Sequence, residues 1–335
     1  MSRLTNKPGV GPRPGASFDG RRYQNPEGRA GNGFAHFLRW ITTSKRARWP
    51  KRLEDLVAPG NLAEPQPPDQ IAATFIGHST FLIQCAGKNV LTDPVFSERV
   101  GPWNLGGPRR ARRPGVDFEQ LPRIDLVLLS HNHYDHADVA TLVQLRRKFD
   151  PLIVTTLGNQ RFLRRHGFSR VVELDWWAEV EAIPGLQVLS TPAQHFSSRH
   201  LLDRDQTLWG GFVITMGEQR VYFVGDSGYG PHFKQVGEHV PGIQMALVPI
   251  GAYEPRWFMK RAHVNPEEAV QIHLDVRARI SVGMHFGTFQ LTDEAIDDPP
   301  RHLAEALDKL GVPRDEFVVP KFGETIVVRT GDDSR

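Results

Sequence analysis

Three histidines and an aspartate fall within six residues, His131-Asn132-His133-Tyr134-Asp135-His136, directly behind the apolar run Leu126-Val127-Leu128-Leu129. A short apolar run of this kind suits a buried strand, and the segment from Asp138 to Phe149 suits a helix. The cluster therefore sits where a strand ends and a helix begins. His131 and His133 are two apart, so in an extended segment they point to one side. Asp135 and His136 come after the bend and can face a second point, so one loop could serve two neighbouring ions. Imidazole nitrogen and carboxylate oxygen are the donors that zinc and related cations take. Burying these groups without a cation would leave many polar atoms unsatisfied. The chain is thereby confined to folds that carry a metal centre at the edge of a sheet.

A two-ion site needs more donors than one loop supplies. Three later positions follow strand-like runs: His195 after Val188-Leu189-Ser190-Thr191-Pro192, Asp226 after Val221-Tyr222-Phe223-Val224, and His285 after Ile280-Ser281-Val282-Gly283-Met284. Each can project from a strand end into a shared cleft, and an aspartate between two cations can bridge them. Taken singly, Asp226 in Gly225-Asp226-Ser227-Gly228 would serve equally as a turn former.

The elements alternate in a consistent way. Strands are expected at 71–76, 80–85 and 89–92, with Gly77 and Gly87 marking the breaks. After the strand before His131 come a helix, a strand at 151–155 and a helix at 159–166. Paired strands at 181–191 turn at Pro184-Gly185, and a hairpin over 208–224 turns at Gly217. A helix at 231–239, strand 245–250, helix 265–276, strand 280–284, helix 301–310 and strands near 316–319 and 325–329 complete the chain. Asn265, Pro266 and Glu268 make the cap, first-turn proline and capping box of the helix at 265–276. Both halves run strands first and then alternate strand and helix, which two packed sheets with helices outside would satisfy.

Charge sets the first segment apart. Residues 1–52 hold twelve Lys or Arg against Asp19 and Glu27, a net +10 on a chain whose total is +3. This asymmetry suits an anionic partner such as a lipid surface, nucleic acid or phosphates, or else a solvated tail. Residues 1–32, rich in Gly, Pro and Arg, are expected to be loosely attached. Phe34, Phe37, Leu38 and Ile41 recur at helical spacing, so residues 33–54 read as a basic amphipathic helix. Such a helix can lie on a membrane or dock on the main domain. A linker around Pro65, Pro67 and Pro68 follows, dividing an arm at 1–69 from a domain at 70–335. The first thirty residues are polar, so a secretory signal is not expected, and no apolar run nears the roughly 18 residues of a membrane span. Cys85 is the single cysteine, excluding an intrachain disulfide. A cytoplasmic protein, peripheral at the inner membrane surface, is the expectation; a homo-oligomer is compatible with it.

The order H-x-H-x-D-H, then His, Asp and His at strand ends, resembles the metallo-β-lactamase superfamily over residues 70–330. The resemblance implies an α/β fold, a four-layer αββα sandwich with the metals between the sheets at one edge. It implies that His131, His133 and His195 hold the first metal and Asp135, His136 and His285 the second, with Asp226 bridging. A closer resemblance is to the N-acyl-phosphatidylethanolamine-hydrolysing phospholipase D family. It is carried by residues 130–136, Glu173-Leu174-Asp175-Trp176-Trp177, Leu208-Trp209-Gly210, 225–229, and above all 249–260 and 263–269; Leu38-Arg39-Trp40 resembles that family's N-terminal region. Where animal members carry Lys-Arg after the third metal histidine, this chain has Ser198-Arg199. Its helix at 159–166 carries Arg161, Arg164 and Arg165 in place of an apolar insertion.

The family implies two zinc ions, with iron or manganese suiting the same donors, and a bridging hydroxide attacking phosphorus in a phospholipid diester. Asp135 and Asp226 are then catalytic as metal holders. His263, just before a helix N-terminus that favours phosphate, is a candidate for proton transfer or substrate contact. Arg199, Tyr253 and Arg256 are further substrate candidates, with Arg199 and Arg256 equally suited to pair with acids instead, and His78 is a structural residue near the site. No specific nucleic acid is expected. The same site could serve a lactone, a sugar-phosphate lactone or a nucleotide diester. A reading of another class is a non-catalytic binder acting through the basic arm.

Overall fold

The computed structural model describes residues 15–27, 34–62, 64, 66, 67, 69–200 and 202–329. In chain order its elements are β1 (Ser17–Phe18), β2 (Tyr23–Gln24), α1 (Phe34–Thr43), β3 (Gln70–Gly77), β4 (Thr80–Cys85), β5 (Lys88–Thr92), β6 (Leu126–Leu129), α2 (Val139–Lys148), β7 (Leu152–Thr156), α3 (Asn159–Arg165) and β8 (Val171–Leu174). Then follow β9 (Glu179–Ile183), β10 (Leu186–Thr191), β11 (Gly211–Met216), β12 (Gln219–Phe223), α4 (His232–His239), β13 (Met245–Pro249), α5 (Arg256–Met259), α6 (Pro266–Val276), β14 (Ile280–Met284), α7 (Asp298–Leu310), β15 (Phe317–Val318) and β16 (Thr325–Arg329).

Two seven-stranded sheets result, ordered β16-β3-β4-β5-β6-β7-β8 and β15-β14-β13-β12-β11-β10-β9. The first sheet is antiparallel from β16 through β5 and parallel from β5 through β8. The second repeats the scheme, antiparallel from β9 through β12 and parallel from β12 through β15.

The period of two in the strands builds the layers. In β6, Leu126 and Leu128 join the core between the sheets, while Val127 and Leu129 join a second cluster with Leu142 and Leu145 of α2 and Leu163 of α3. β4 divides the same way, with Phe81 and Ile83 inward and Leu82 under the helices. On the other sheet Phe233, Val270 and Leu303 bring α4, α6 and α7 into the main core. The layers are helix, sheet, sheet, helix. α6 is capped as its sequence predicts: Glu268 N–H donates to Asn265 Oδ1 at 2.8 Å, and the Glu268 carboxylate accepts from Asn265 N–H at 3.2 Å.

Some expectations need correcting. α7 begins at Asp298, three residues before the expected Arg301, because Pro299 and Pro300 occupy a first turn that needs no N–H donors. The strand expected from Leu208 begins at Gly211; Leu208 and Trp209 instead pack with Trp176 and Ala193. β8 and the short α5 had no periodicity to announce them.

Residues 1–32 are not uniformly loose: 15–27 form a ribbon whose Asn25 is buried. A single polar anchor leaves no hydrophobic pattern, which is why the sequence hides it. Residues 1–14 and 28–33, with Pro65 and Pro68 of the linker, lie outside the described residues.

Farther along, the arm lies on the main domain. Trp40 is buried and stacks on Phe258 at 5.0 Å. The indoles of Trp40 and Trp49 donate to Asp293 Oδ1 and the Glu294 carbonyl, and Asp55 takes a bidentate grip from Arg112 at 2.7 Å. Phe37, Leu38 and Ile41 remain exposed on α1. Among the described residues no helix is long and apolar enough to cross a membrane.

Candidate metal centre

β5 and β6 run parallel, with Thr92 beside Leu128, so their carboxyl ends meet at one edge, where sites gather in parallel sheets. Asp93, just past β5, is fully buried and acts as the hub behind the histidine loop. Its Oδ1 accepts from Ser130 N–H at 2.7 Å, and its Oδ2 accepts from Ser130 Oγ at 2.5 Å and lies 2.6 Å from His136 Nδ1. Ser130 Oγ in turn lies 2.8 Å from His131 Nδ1. Both rings are thus held at Nδ1 and turn Nε2 toward the cleft. Past His133 the chain bends sharply, with His136 and Ala137 N–H both donating to the His133 carbonyl.

Two groups of donors converge. His131 Nε2 lies 2.8 Å and His195 Nε2 3.3 Å from His133 Nδ1. Asp226 Oδ2 is 3.0 Å from His136 Nε2 and 3.1 Å from His285 Nε2, and Asp135 Oδ2 is 3.5 and 3.6 Å from the same nitrogens. Asp226 Oδ2 also approaches His195 Nε2 at 3.8 Å, which sets it between the groups. In a tetrahedral zinc site with bonds of about 2.0–2.1 Å, neighbouring donor atoms lie about 3.3 Å apart.

The alignment of these atoms tests whether a metal fits. His136 Nε2, Asp226 Oδ1 and His285 Nε2 are buried and make no hydrogen bond, although an oxygen lies about 3 Å from both nitrogens. Atoms that are close but misaligned with each other are aimed at a common point. Divalent cations satisfy that arrangement, and hydrogen bonds do not.

Electrostatics divides the histidines. Burial pushes His133 down to about 4 and His195 to about 3 against the pull of Asp135 and Asp226, and burial with three neighbouring histidines holds His131 well below its usual range. Burial would also lower His136 and His285. There the carboxylates of Asp226 and Asp135 prevail, raising His136 well above the usual range and His285 to about 9. Burial alone would raise Asp135 and Asp226, but His136 and its neighbours hold both well below the usual carboxylate range.

The backbone is strained where it serves the site. His78, Asp93 and His285 have φ of 56°, 28° and 60°, conformations costing on the order of 1–3 kcal/mol each. His78 Nε2 meets Asp135 Oδ2 at 2.9 Å, and the His78 carbonyl accepts from His285 N–H at 2.8 Å. His78 therefore braces two of the donors.

The proposed substrate residues separate. His263 faces the centre, its ring 5.1 Å from His195 and 5.3 Å from His285, with a buried Nδ1 that makes no hydrogen bond. Arg256 instead grips the His263 carbonyl at 2.8 Å and Glu268 at 2.7 Å. Arg199 donates from Nη1 to the carbonyls of Asn132 and Ala137, both at 2.8 Å, and lies over the Tyr134 ring at 4.0 Å. The Tyr253 hydroxyl is 2.6 Å from His302 Nδ1 on α7. Expected to meet substrate, these three side chains engage the protein itself.

Asp93, Ser130 and Asn25 were not singled out in the sequence. Asp93 carried one signal: an aspartate closing the strand that precedes the histidine strand.

Residues 88–286 match the family model described as the beta-lactamase superfamily domain. The chain belongs to the metallo-β-lactamase superfamily. It is 38% identical over 265 residues to N-acyl-phosphatidylethanolamine-hydrolyzing phospholipase D 1 of Caenorhabditis elegans, covering 75% of this chain and 74% of that one. The mitochondrial enzyme of that name from Saccharomyces cerevisiae is 34% identical over 258 residues, and the match spans 75% of this chain but 55% of the yeast protein. Among solved structures, the metallo hydrolase Igni18 of Ignicoccus hospitalis superposes with a TM-score of 0.61 at 22% identity, over 78% of this chain and 99% of its own, which shows the shared fold. This superfamily member is a metal-dependent hydrolase with a candidate His/Asp metal site.

Proposed function

We propose that the chain is a dinuclear zinc phosphodiesterase of the phospholipase D type, cleaving N-acyl-phosphatidylethanolamine or a related phospholipid to an N-acylethanolamine and a phosphatidic acid. The observation that carries this reading is the pair of donor groups meeting at Asp226 Oδ2, in a chain 38% identical to a protein named for that reaction. On this reading His131, His133 and His195 hold one ion, Asp135, His136 and His285 the other, and Asp226 both. Iron or manganese would suit the same donors. Two cations there would supply Lewis acidity toward the phosphoryl oxygens and activate a water for attack on phosphorus.

The chain's own residues do the rest. Asp93 and Ser130 fix the tautomers of His136 and His131. His263, pushed down to about 3 by burial against the pull of Asp226, is a neutral ring, suited to donate a hydrogen bond to a phosphoryl oxygen rather than to carry a proton to the leaving group. Arg199 and Arg256 position the loops that bear Tyr134 and His263.

A lipid substrate must be met at an interface, and apolar side chains stand exposed on segments tied to the site. Phe37, Leu38 and Ile41 lie on α1, which packs on α5 beside Trp257. Trp103 and Leu105 flank Asn104, which bonds Asp138 at 3.1 Å, and Leu202 belongs to the loop that holds Arg199. With Arg39 over the Trp257 ring at 4.6 Å, the exposed residues of α1 are our candidate for a peripheral membrane contact.

The test is metal analysis of protein purified without chelator, joined to a screen against phospholipids, lactones and nucleotide diesters read by mass spectrometry. About two metal equivalents, mostly zinc, and diester cleavage of the N-acylated lipid are expected. A protein without metal, or one that turns over only lactones or nucleotide diesters, would overturn the reading.

A further inference from the structure

The side chain of Asn25 reaches across 170 positions of sequence to the main chain of His195. Its Nδ2 donates to the His195 carbonyl at 2.7 Å, and its Oδ1 accepts from His195 N–H at 3.0 Å. The same Oδ1 accepts from the Trp209 indole at 2.9 Å, and Trp209 also donates to the Ala193 carbonyl at 2.9 Å. A carboxamide has the donor and acceptor of a peptide group, so Asn25 pairs with His195 as a neighbouring strand would. His195 is fully buried and Asn25 only 5% exposed, so water does not replace either bond cheaply.

The neighbours of His195 are held from elsewhere. Gln194 N–H donates to Ser227 Oγ, and the Gln194 carbonyl accepts from Gly228 N–H. The His195 ring rests its Nδ1 2.9 Å from the Ala262 carbonyl, which leaves Nε2 for the site. The main-chain pair of His195 itself goes to Asn25. Asn25 is in turn held by the ribbon: Ala16 N–H donates to Asp175 Oδ1 at 2.9 Å, and Tyr23 N–H to the Asp205 carbonyl at 2.8 Å. The rings of Phe18 and Tyr23 pack at 4.6 Å across its turn. The whole ribbon lies outside the stretch matched to the superfamily domain, 88–286.

We infer that Asn25 is a positioning residue of the metal centre, and that residues 15–27 are a working part of the site rather than a tail. This rests on the reading of His195 as a metal ligand. The substitution Asn25→Ala leaves a buried carbonyl and N–H unpaired directly behind that ligand, and the backbone must shift to satisfy them. Partners that orient a ligand typically cost about 10–100-fold in metal affinity when removed. The loss falls on the ion held by His131, His133 and His195 more than on the other.

The experiment is titration of the full-length, metal-free chain with Zn2+ against a chromophoric chelator, repeated with Co2+ to read the visible bands of each equivalent. Thermal unfolding of the metal-free protein is followed alongside. In Asn25→Ala one of the two equivalents should weaken by about 10–100-fold, with altered bands for that equivalent. Asn25→Asp has the same shape and keeps the accepting oxygen, but sets a second oxygen against the His195 carbonyl. A packing role alone would leave this variant like the wild type; the inference expects the same equivalent to weaken, by about tenfold. Wild-type affinities and spectra in either folded variant overturn the inference while leaving the metal reading intact. A wild-type chain that binds neither Zn2+ nor Co2+ overturns both.

Discussion

Arg199→Ala separates two roles that the sequence alone left open. In the structure its guanidinium holds the Asn132 and Ala137 carbonyls, one at each end of the histidine loop, and covers the Tyr134 ring at 4.0 Å. Tyr134 returns the contact by donating to the Arg199 carbonyl at 3.0 Å. Each charge-assisted hydrogen bond is worth roughly 1.5–3 kcal/mol, and the ring contact about 0.5–1 kcal/mol. Burial opposes the charge and lowers the arginine's pKa; truncation removes that charge and leaves two carbonyls without donors, at roughly 1–3 kcal/mol each, so the net loss is taken as about 3 kcal/mol. For a chain this long, that lowers Tm by about 3–6 °C. The same disorder at the ligand loop should weaken metal binding by about tenfold or more. Arg199→Lys should not rescue it, because a single ammonium does not reproduce a planar fork. The assays are thermal unfolding with and without metal, chelator competition, and kcat and KM on a lipid diester. A residue that simply bound phosphate would raise KM and leave Tm and metal affinity unchanged, and that result would refute the positioning role.

Three further outcomes are expected. Loading the metal-free protein with zinc at pH 7.5 should release at least about two protons, since ligand imidazoles must be neutral. Asp226 and Asp135 push His285 up to about 9 and His136 well above its usual range, whereas burial keeps His131, His133 and His195 neutral. Overall affinity for the pair of ions should therefore rise with pH until both rings are neutral; calorimetry in buffers of different ionisation enthalpy reads it, and no proton release contradicts it. Asp226→Asn should reduce diesterase turnover to background with unchanged circular dichroism, and unchanged turnover would remove its bridging role. Replacing Phe37, Leu38 and Ile41 together by Ser should weaken vesicle co-sedimentation by about 1 kcal/mol per residue, without changing Tm, because all three are exposed.

The parts of the fold that were legible in the sequence are those with a local cause. β4, β6, β14 and β16 announce themselves by apolar runs, and α6 by Asn265, Pro266 and Glu268. The histidine loop is legible because four donors fall within six consecutive residues, and the later donors because each closes a strand. What stayed hidden depends on which strand lies beside which. Asp93 behind His136 follows from β5 lying next to β6. Asn25 behind His195 follows from a two-strand ribbon with no hydrophobic period. Arg199 and Arg256 have the right charge for phosphate, and only tertiary structure reveals the carbonyls and the carboxylate that claim them. Tyr253 is a similar case, its hydroxyl drawn to His302 by the packing of α7.

Attack on phosphorus by water at a metal centre is the step on which the proposed function rests. Its most direct test is hydrolysis of vesicles of N-acyl-phosphatidylethanolamine by the zinc-loaded chain in 18O-labelled water, with both products weighed by mass spectrometry. One labelled oxygen is expected in the phosphate of the phosphatidic acid and none in the N-acylethanolamine, with the reaction abolished by chelator. Label in the N-acylethanolamine, or intact lipid beside rapid turnover of a lactone, would contradict it.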